Sequence, residues 1–298
     1  MADAIDTYIL NQWHVLAALE ETVSGLVHRT TLLDRPIGYS RAADGAPMAW
    51  LAGTEPAGAS IPVERLGAVL PTIAAYGYLW TCLGTPQGAL FPVPEYAEPD
   101  RKNLSAGSIG VNVSAPRVVE NFLDMGHFPY VHTDILGAEP HTEVKEYDVE
   151  VTEGGDEILA TRCRFYQPKA ALSATHALEV EYIYRVPHPY CSVLYKSCPA
   201  DTSRMDVIAV FVQPMGHERV RAHLMISMID EEATITTLRR FQQTIFGQDK
   251  PILENQYPKR LPLDPRAETP IRADKSAIVY RRWLSQKGIT YGVIPHAV

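Results

Sequence analysis

Cysteine is scarce and basic clusters are missing. The 298 residues contain four cysteines, Cys82, Cys163, Cys191 and Cys198, in neither Cys-x-x-Cys spacing nor a paired framework. That excludes a disulfide scaffold and fits reduced thiols inside a cell, with Cys191 and Cys198 read as packing residues. Net charge is −8 and no run of Lys or Arg breaks the balance, so neither a nucleic-acid groove nor an anionic membrane surface is an expected partner. The first residues, Met1 to Asp6, are acidic where a secretory signal would be basic, which points to the cytoplasm. The long uncharged run 66–94 is interrupted by Pro71, Gly77, Gly84, Pro86, Pro92 and Pro94. It reads as buried strand and loop rather than a membrane span.

What is present is apolar patterning. A hydrophobic fraction of 46% supplies a core for one large domain or two modest ones. Short apolar pieces recur at Trp13 to Leu19, Thr30 to Tyr39 and Met48 to Leu51, with turns at Asp34-Arg35-Pro36 and Asp44-Gly45. With a further strand at Tyr76 to Trp80, they predict a small β module. Composition turns to Pro, Asp, Arg and Lys between Phe91 and Asn103, dividing the chain into 1–92 and 93–298. Beyond that point apolar residues alternate in Ile109 to Val113, Val149 to Val151, Leu159 to Phe165, Leu178 to Val186, Val207 to Val212 and Val220 to Met228. These predict an antiparallel sheet with one face on a core. A long helix is expected next, acidic in its first turn at Asp230-Glu231-Glu232, with Leu238, Phe241, Ile245, Ile252 and Leu253 at helical spacing. A last helix is expected from Ala273 through Trp283.

One stretch concentrates polar chemistry. Between Val119 and His132 the residues Glu120, Asn121, Asp124, His127 and His132 stand among mainly apolar neighbours, and polar groups placed where burial is expected need partners. On a helix Asp124 and His127 share a face, which suits a carboxylate orienting an imidazole committed to a metal. His132 would point roughly 140° away on a straight helix. Pro129 should break or kink that helix and so swing His132 back. Taken alone, a His-x4-His pair near a helix end also reads as packing and capping. Asp249 poses a similar choice: it falls on the apolar stripe with Ile245 and Phe246, where a bare carboxylate is costly unless paired or coordinated. Equally it could cap a second segment with Pro251 in its first turn. Gln242 precedes Asp249 by about two turns and Phe246 flanks the same direction. A carboxamide beside an aromatic ring suits a flat substrate with polar edges; solvent for Gln242 and core for Phe246 are the plain alternatives.

Read as it stands, Glu-Asn-x-x-Asp-x-x-His-x4-His from Glu120 to His132 resembles the iron-binding signature of the Rieske non-haem iron oxygenases, and Gln248 to Glu254 resembles that family's second signature. The likeness covers roughly 105–285 and, weakly, the N-terminal module. Within the family it is closest to the bacterial purine N-demethylases of caffeine breakdown, in stretches such as His127 to Val144 and Lys259 to Trp283. The resemblance implies an α+β fold, a helix-grip (START-like) antiparallel sheet with long helices, preceded by a truncated Rieske-like β module. It implies a mononuclear Fe(2+) held by His127, His132 and Asp249, with Asp124 and Asn121 as catalytic neighbours.

The sequence departs from the family at one point. A Rieske cluster needs Cys-x-His and later Cys-x-x-His, yet no cysteine or histidine stands between His28 and Cys82. The resemblance therefore implies a chain without a [2Fe-2S] cluster, served by a Rieske-bearing reductase that supplies the cluster and the NADH and flavin chemistry. It also implies a glutathione-transferase-like structural subunit and a trimer or hetero-oligomer. The implied activity is an O2-dependent monooxygenase on methylxanthines, above all removing the N7-methyl of 7-methylxanthine to give xanthine and formaldehyde. A demethylase or hydroxylase of another aromatic substrate, and a non-catalytic START-like binding module, are the alternatives.

Overall fold

Along Leu178–His188 the residues Val180, Tyr182, Tyr184 and Val186 are buried while Glu181 and Arg185 are not, the pattern of a strand with one face on a core. That strand belongs to the principal sheet of an α+β protein. The computed structural model describes residues 5–61, 66–169, 176–229 and 232–296. In chain order come α1 (Thr7–Leu10), β1 (His14–Ala18), β2 (His28–Leu32), β3 (Arg35–Arg41), β4 (Pro47–Leu51), β5 (Val69–Leu70), β6 (Thr72–Ala75) and β7 (Tyr78–Thr81). Then follow β8 (Lys102–Val111), α2 (Ala115–Leu123), α3 (Phe128–Val131), β9 (Asp148–Val151), β10 (Ile158–Gln167), β11 (Leu178–His188), β12 (Cys191–Ser197), β13 (Met205–Gly216) and β14 (Arg219–Met228). The chain closes with α4 (Ile235–Asn255), β15 (Leu261–Pro262), α5 (Lys275–Gln286) and β16 (Val293–Ile294). No described helix is long and apolar enough to cross a membrane.

Strands β8 to β14 form one antiparallel sheet in the order β8-β14-β13-β12-β11-β10-β9. The N-terminal strands form two smaller sheets, β1-β7-β6 and β2-β3-β4-β5. The centre of the large sheet is covered on both sides. Toward the helices, Ile208, Val210 and Val212 join Val118, Val119, Phe246, Tyr280 and Trp283 in the main core. On the other face, Val193, Val207, Ala209 and Phe211 pack on Val15, Tyr78 and Trp80 of the N-terminal strands.

Double coverage explains an element the sequence pattern did not predict. Strand β12 is buried at five of its seven positions and half-buried at the other two, without clean alternation, so its residues carry no period-two signal. The first hairpin turn also differs from expectation: Leu33 and Asp34 form it with positive φ of 50° and 61°, the pair of left-handed residues that a tight two-residue turn requires, while Arg35 and Pro36 already belong to β3.

The long helix starts later than expected. Its N-cap is Thr234, whose hydroxyl accepts the Thr237 N–H at 3.1 Å, and its first turn holds no acidic residue. Asp230 and Glu231 lie outside the described residues, and Glu232 precedes the cap. Ile252 is exposed rather than on the buried stripe. The last helix begins at Lys275 and runs to Gln286. Helix α4 is fastened along β8: Arg239 Nε donates to Ser105 O at 2.9 Å, Gln243 Nε2 to Ala106 O at 2.8 Å and Lys250 Nζ to Gly110 O at 2.9 Å. Gly107 permits this approach, since a Cβ there would sit 2.9 Å from Gln243 Nε2 and its φ is +116°.

Candidate metal centre

Helix α2 opens after the N-cap Ser114 with Pro in its first turn and ends at Leu123. The expectation of one helix carrying both Asp124 and His127 is therefore corrected. Asp124 is the C-cap, extended at φ −83° and ψ 122°, and its side chain folds the following chain back. Oδ1 accepts the Gly126 N–H at 2.7 Å and Oδ2 takes His127 Nδ1 at 2.9 Å. The carboxylate meets the imidazole as expected, through a closed turn rather than a helix face. Pro129 likewise neither breaks nor kinks a helix, since α2 has already ended at Leu123. It sits in the first turn of the separate one-turn helix α3, where a missing N–H costs nothing. His132 follows as the C-cap of α3.

Helix α4 runs through Asp249 and Pro251 without interruption, so Asp249 is an interior residue and caps no second segment. It is buried at 8% exposure. His127 Nε2 lies 3.2 Å from His132 Nε2, and Asp249 Oδ1 lies 3.3 Å from the first and 3.0 Å from the second. Among the described residues, these three are the one group of His, Cys, Asp or Glu side chains close enough together to hold a metal ion.

The donor set fits a first-row cation. Each imidazole has its Nδ1 engaged, His127 on Asp124 and His132 on Gln248 Oε1 at 2.8 Å, which fixes both Nε2 lone pairs toward one point. Asp249 Oδ1 is buried with no hydrogen-bond partner. It is close to both imidazole Nε2 atoms, and a buried carboxylate oxygen and two ring nitrogens gathered around one point need a shared cation, a metal ion or, without one, a proton. Ligand atoms at ~2.1 Å from an ion and at right angles stand ~3 Å apart, the spacing seen here. Burial alone would lower the pKa of His127, but the carboxylates of Asp124 and Asp249 outweigh it and raise it to about 9. Asp249 is held below the ordinary range because the two imidazoles outweigh its own burial. Gln248 was not singled out from sequence, although its position beside Asp249 in the second signature is where the signal lay.

The triad opens on a cavity between α4 and the large sheet, lined by Phe122, Phe128, Tyr182, Tyr184 and Ile245. Gln242 and Phe246 are buried and line it with Asp249. Asn121 borders both this cavity and a second recess behind Asp124. Glu120 turns away from the metal ligands. Its Oε1 accepts Arg281 Nε at 2.6 Å and its Oε2 accepts Arg117 Nη1 at 3.1 Å, while Glu268 bonds both arginines. This ring of four charges, three of them buried and Glu268 half-buried, ties α2 to α5.

Residues 111–288 match the family model described as the vanillate O-demethylase oxygenase C-terminal domain. The chain is 47% identical over 289 residues, 97% of its length and 98% of the relative's, to a protein described as a probable methylxanthine N7-demethylase of Pseudomonas sp. (strain TJI-51). Among solved structures, the Pseudomonas putida CBB5 protein NdmA with caffeine superposes with a TM-score of 0.74 at 18% identity, over 94% of this chain and 92% of that one. Dicamba monooxygenase bound to dicamba does so with a TM-score of 0.71 at 17% identity, over 95% and 98%.

Proposed function

The chain belongs to the vanillate O-demethylase oxygenase family of Rieske non-haem iron oxygenases, and from that membership we propose that it is the catalytic subunit of a methylxanthine N-demethylase, acting on the N7-methyl of 7-methylxanthine. The observation that carries this reading is the convergence of His127, His132 and Asp249 at the head of a buried, largely apolar cavity. Iron held there would activate dioxygen: with two electrons from a partner and two protons, one oxygen atom would leave as water and the other would hydroxylate the substrate N-methyl, the N-hydroxymethyl product collapsing to formaldehyde and a free N–H.

The chain's own residues do the rest. Asp124 and Gln248 hold the two imidazoles in one tautomer and orientation. Phe246 and the tyrosines of β11 offer faces on which a purine can stack, and they exclude water from the reacting methyl. Gln242 is placed to pair with a ring carbonyl or N–H. Asp124, a third exposed at its side chain, and Asn121 border the recess behind His127, which we read as the side from which electrons arrive.

Electrons come, in this proposal, from the Rieske centre of a separate reductase that also carries the NADH chemistry, because residues 29–81 contain no cysteine or histidine. We read 1–92 as a Rieske-like β module without its ligands, 93–298 as the catalytic domain, and the large sheet with α4 as a helix-grip. A cytoplasmic hetero-oligomer with a glutathione-transferase-like subunit completes the proposal. Formaldehyde release from a methylxanthine panel tests it, with a Rieske-bearing reductase present and absent. Release from 7-methylxanthine only when the reductase is present supports it. No release from any methylxanthine, with release from an aromatic methyl ether, would move the substrate elsewhere.

A further inference from the structure

The cavity carries a second polar place, built by the sheet. Lys196 on β12 and Asp206 on β13 stand directly opposite each other across the two strands, and both line the cavity beside Leu194 and Ile208. Each is only 5% exposed. One oxygen of Asp206 accepts the Ile229 N–H at 3.0 Å. Ile229 is where the chain leaves β14 for α4. The pair therefore sits toward the start of that helix, whereas Asp249 lies toward its end.

Two charges in an apolar cavity wall are a poor device for stability, since hydrophobic residues of similar volume would serve the fold as well. Their dehydration is visible in their protonation. Burial pulls Lys196 down to about 8 against the upward pull of Asp206, and it pushes Asp206 above the usual carboxylate range. A ligand edge that accepts from one and donates to the other offsets that cost.

We propose that Lys196 and Asp206 read the ring edge farthest from the methyl under attack, the ammonium donating to a ring carbonyl and the carboxylate accepting the neighbouring imide N–H. The pair thereby selects rings whose imide nitrogens carry hydrogen. This rests on the demethylase reading, in which one end of a methylxanthine faces the triad. An N-methyl in place of the imide N–H would remove the donor and press a methyl group against a buried carboxylate, and sites built to hydrogen-bond reject analogues that cannot.

The test is calorimetric titration of the full-length, iron-loaded protein under anaerobic conditions with 7-methylxanthine and 1,3,7-trimethylxanthine, which share the N7-methyl. Wild type is expected to prefer 7-methylxanthine by about tenfold or more. Asp206→Asn keeps an acceptor for the Ile229 N–H, and Lys196→Met keeps the bulk of the side chain. In each, and in the double variant, the preference should collapse to about twofold, with affinity for the trimethyl compound unchanged or improved. If the double variant does not fold, Asp206→Asn alone decides. A folded Asp206→Asn with the wild-type preference, or a wild type without preference, overturns the assignment. Formaldehyde release from wild type and variants is measured separately, in air with NADH and the Rieske-bearing reductase. Selective binding that the variants abolish, without formaldehyde from wild type, sinks the demethylase reading and leaves the pair's role standing; formaldehyde with a preference the variants do not touch does the reverse.

Discussion

Asp249→Ala separates a metal ligand from a buried helix residue. Alanine is the best helix former, so α4 should persist and the metal-free variant should melt close to wild type. Ferrous iron at one hundred times the wild-type Kd stabilises wild type by about 2.7 kcal/mol. With an unfolding entropy of roughly 2.1 cal/mol/K per residue, a chain of this length gains about 4 °C in Tm. Loss of a partner that merely orients a ligand weakens metal binding by about 10–100-fold, and loss of the only anionic ligand should reach at least the upper figure. At the same iron concentration the variant then gains about 0.4 kcal/mol, under about 1 °C. The assay is anaerobic differential scanning calorimetry with and without iron, paired with iron content after desalting. An Asp249→Ala protein that keeps its iron and the full gain in Tm would refute the ligand assignment, whatever its activity.

Asp124→Asn should retain iron and the Gly126 turn but slow turnover with the reductase, because the neutral amide no longer polarises His127; iron analysis beside steady-state rates checks this, and loss of iron would place Asp124 among the ligands. Gln242→Ala should lower kcat/KM for 7-methylxanthine by ~1–3 kcal/mol, the cost of an unsatisfied buried substrate edge, and a wild-type value would show that the edge is read elsewhere. Glu120→Ala leaves Arg117 and Arg281, whose side chains are 3% and 8% exposed, with Glu268 as their remaining carboxylate. It should destabilise by about 3 kcal/mol, the low end for a broken buried pair because Glu268 still reaches both. A denaturant midpoint equal to wild type would count against the ring.

The legible part of this protein was its local part. His127, His132, Asp124 and Asp249 could be picked out because residue type, spacing and apolar surroundings conflict unless something is coordinated, and the sheet because β10 and β11 alternate. The manner of assembly was less legible. Whether Asp124 faced His127 along a helix or across a turn depends on where α2 stops, and the two routes bring the same atoms together. Glu120 looked like part of the metal signature because the partner that draws it away, Arg281, is 161 residues further along the chain. Lys196 and Asp206 left no trace, since only the register of β12 on β13 makes them neighbours, and β12 itself was hidden by apolar residues on both faces.

That double burial has a consequence for the protein's history and its engineering. Val193, Val207 and Phe211 have their backs against Tyr78 and Trp80, and the opposite faces of the same strands carry Lys196, Asp206 and the rest of the cavity wall. The N-terminal strands thus act as a buttress to the pocket, whether or not they hold iron and sulfur. Excising them would bare a broad greasy surface and slacken the wall a substrate leans on. A designer seeking a minimal catalytic fragment would have to rebuild that outer course before removing it.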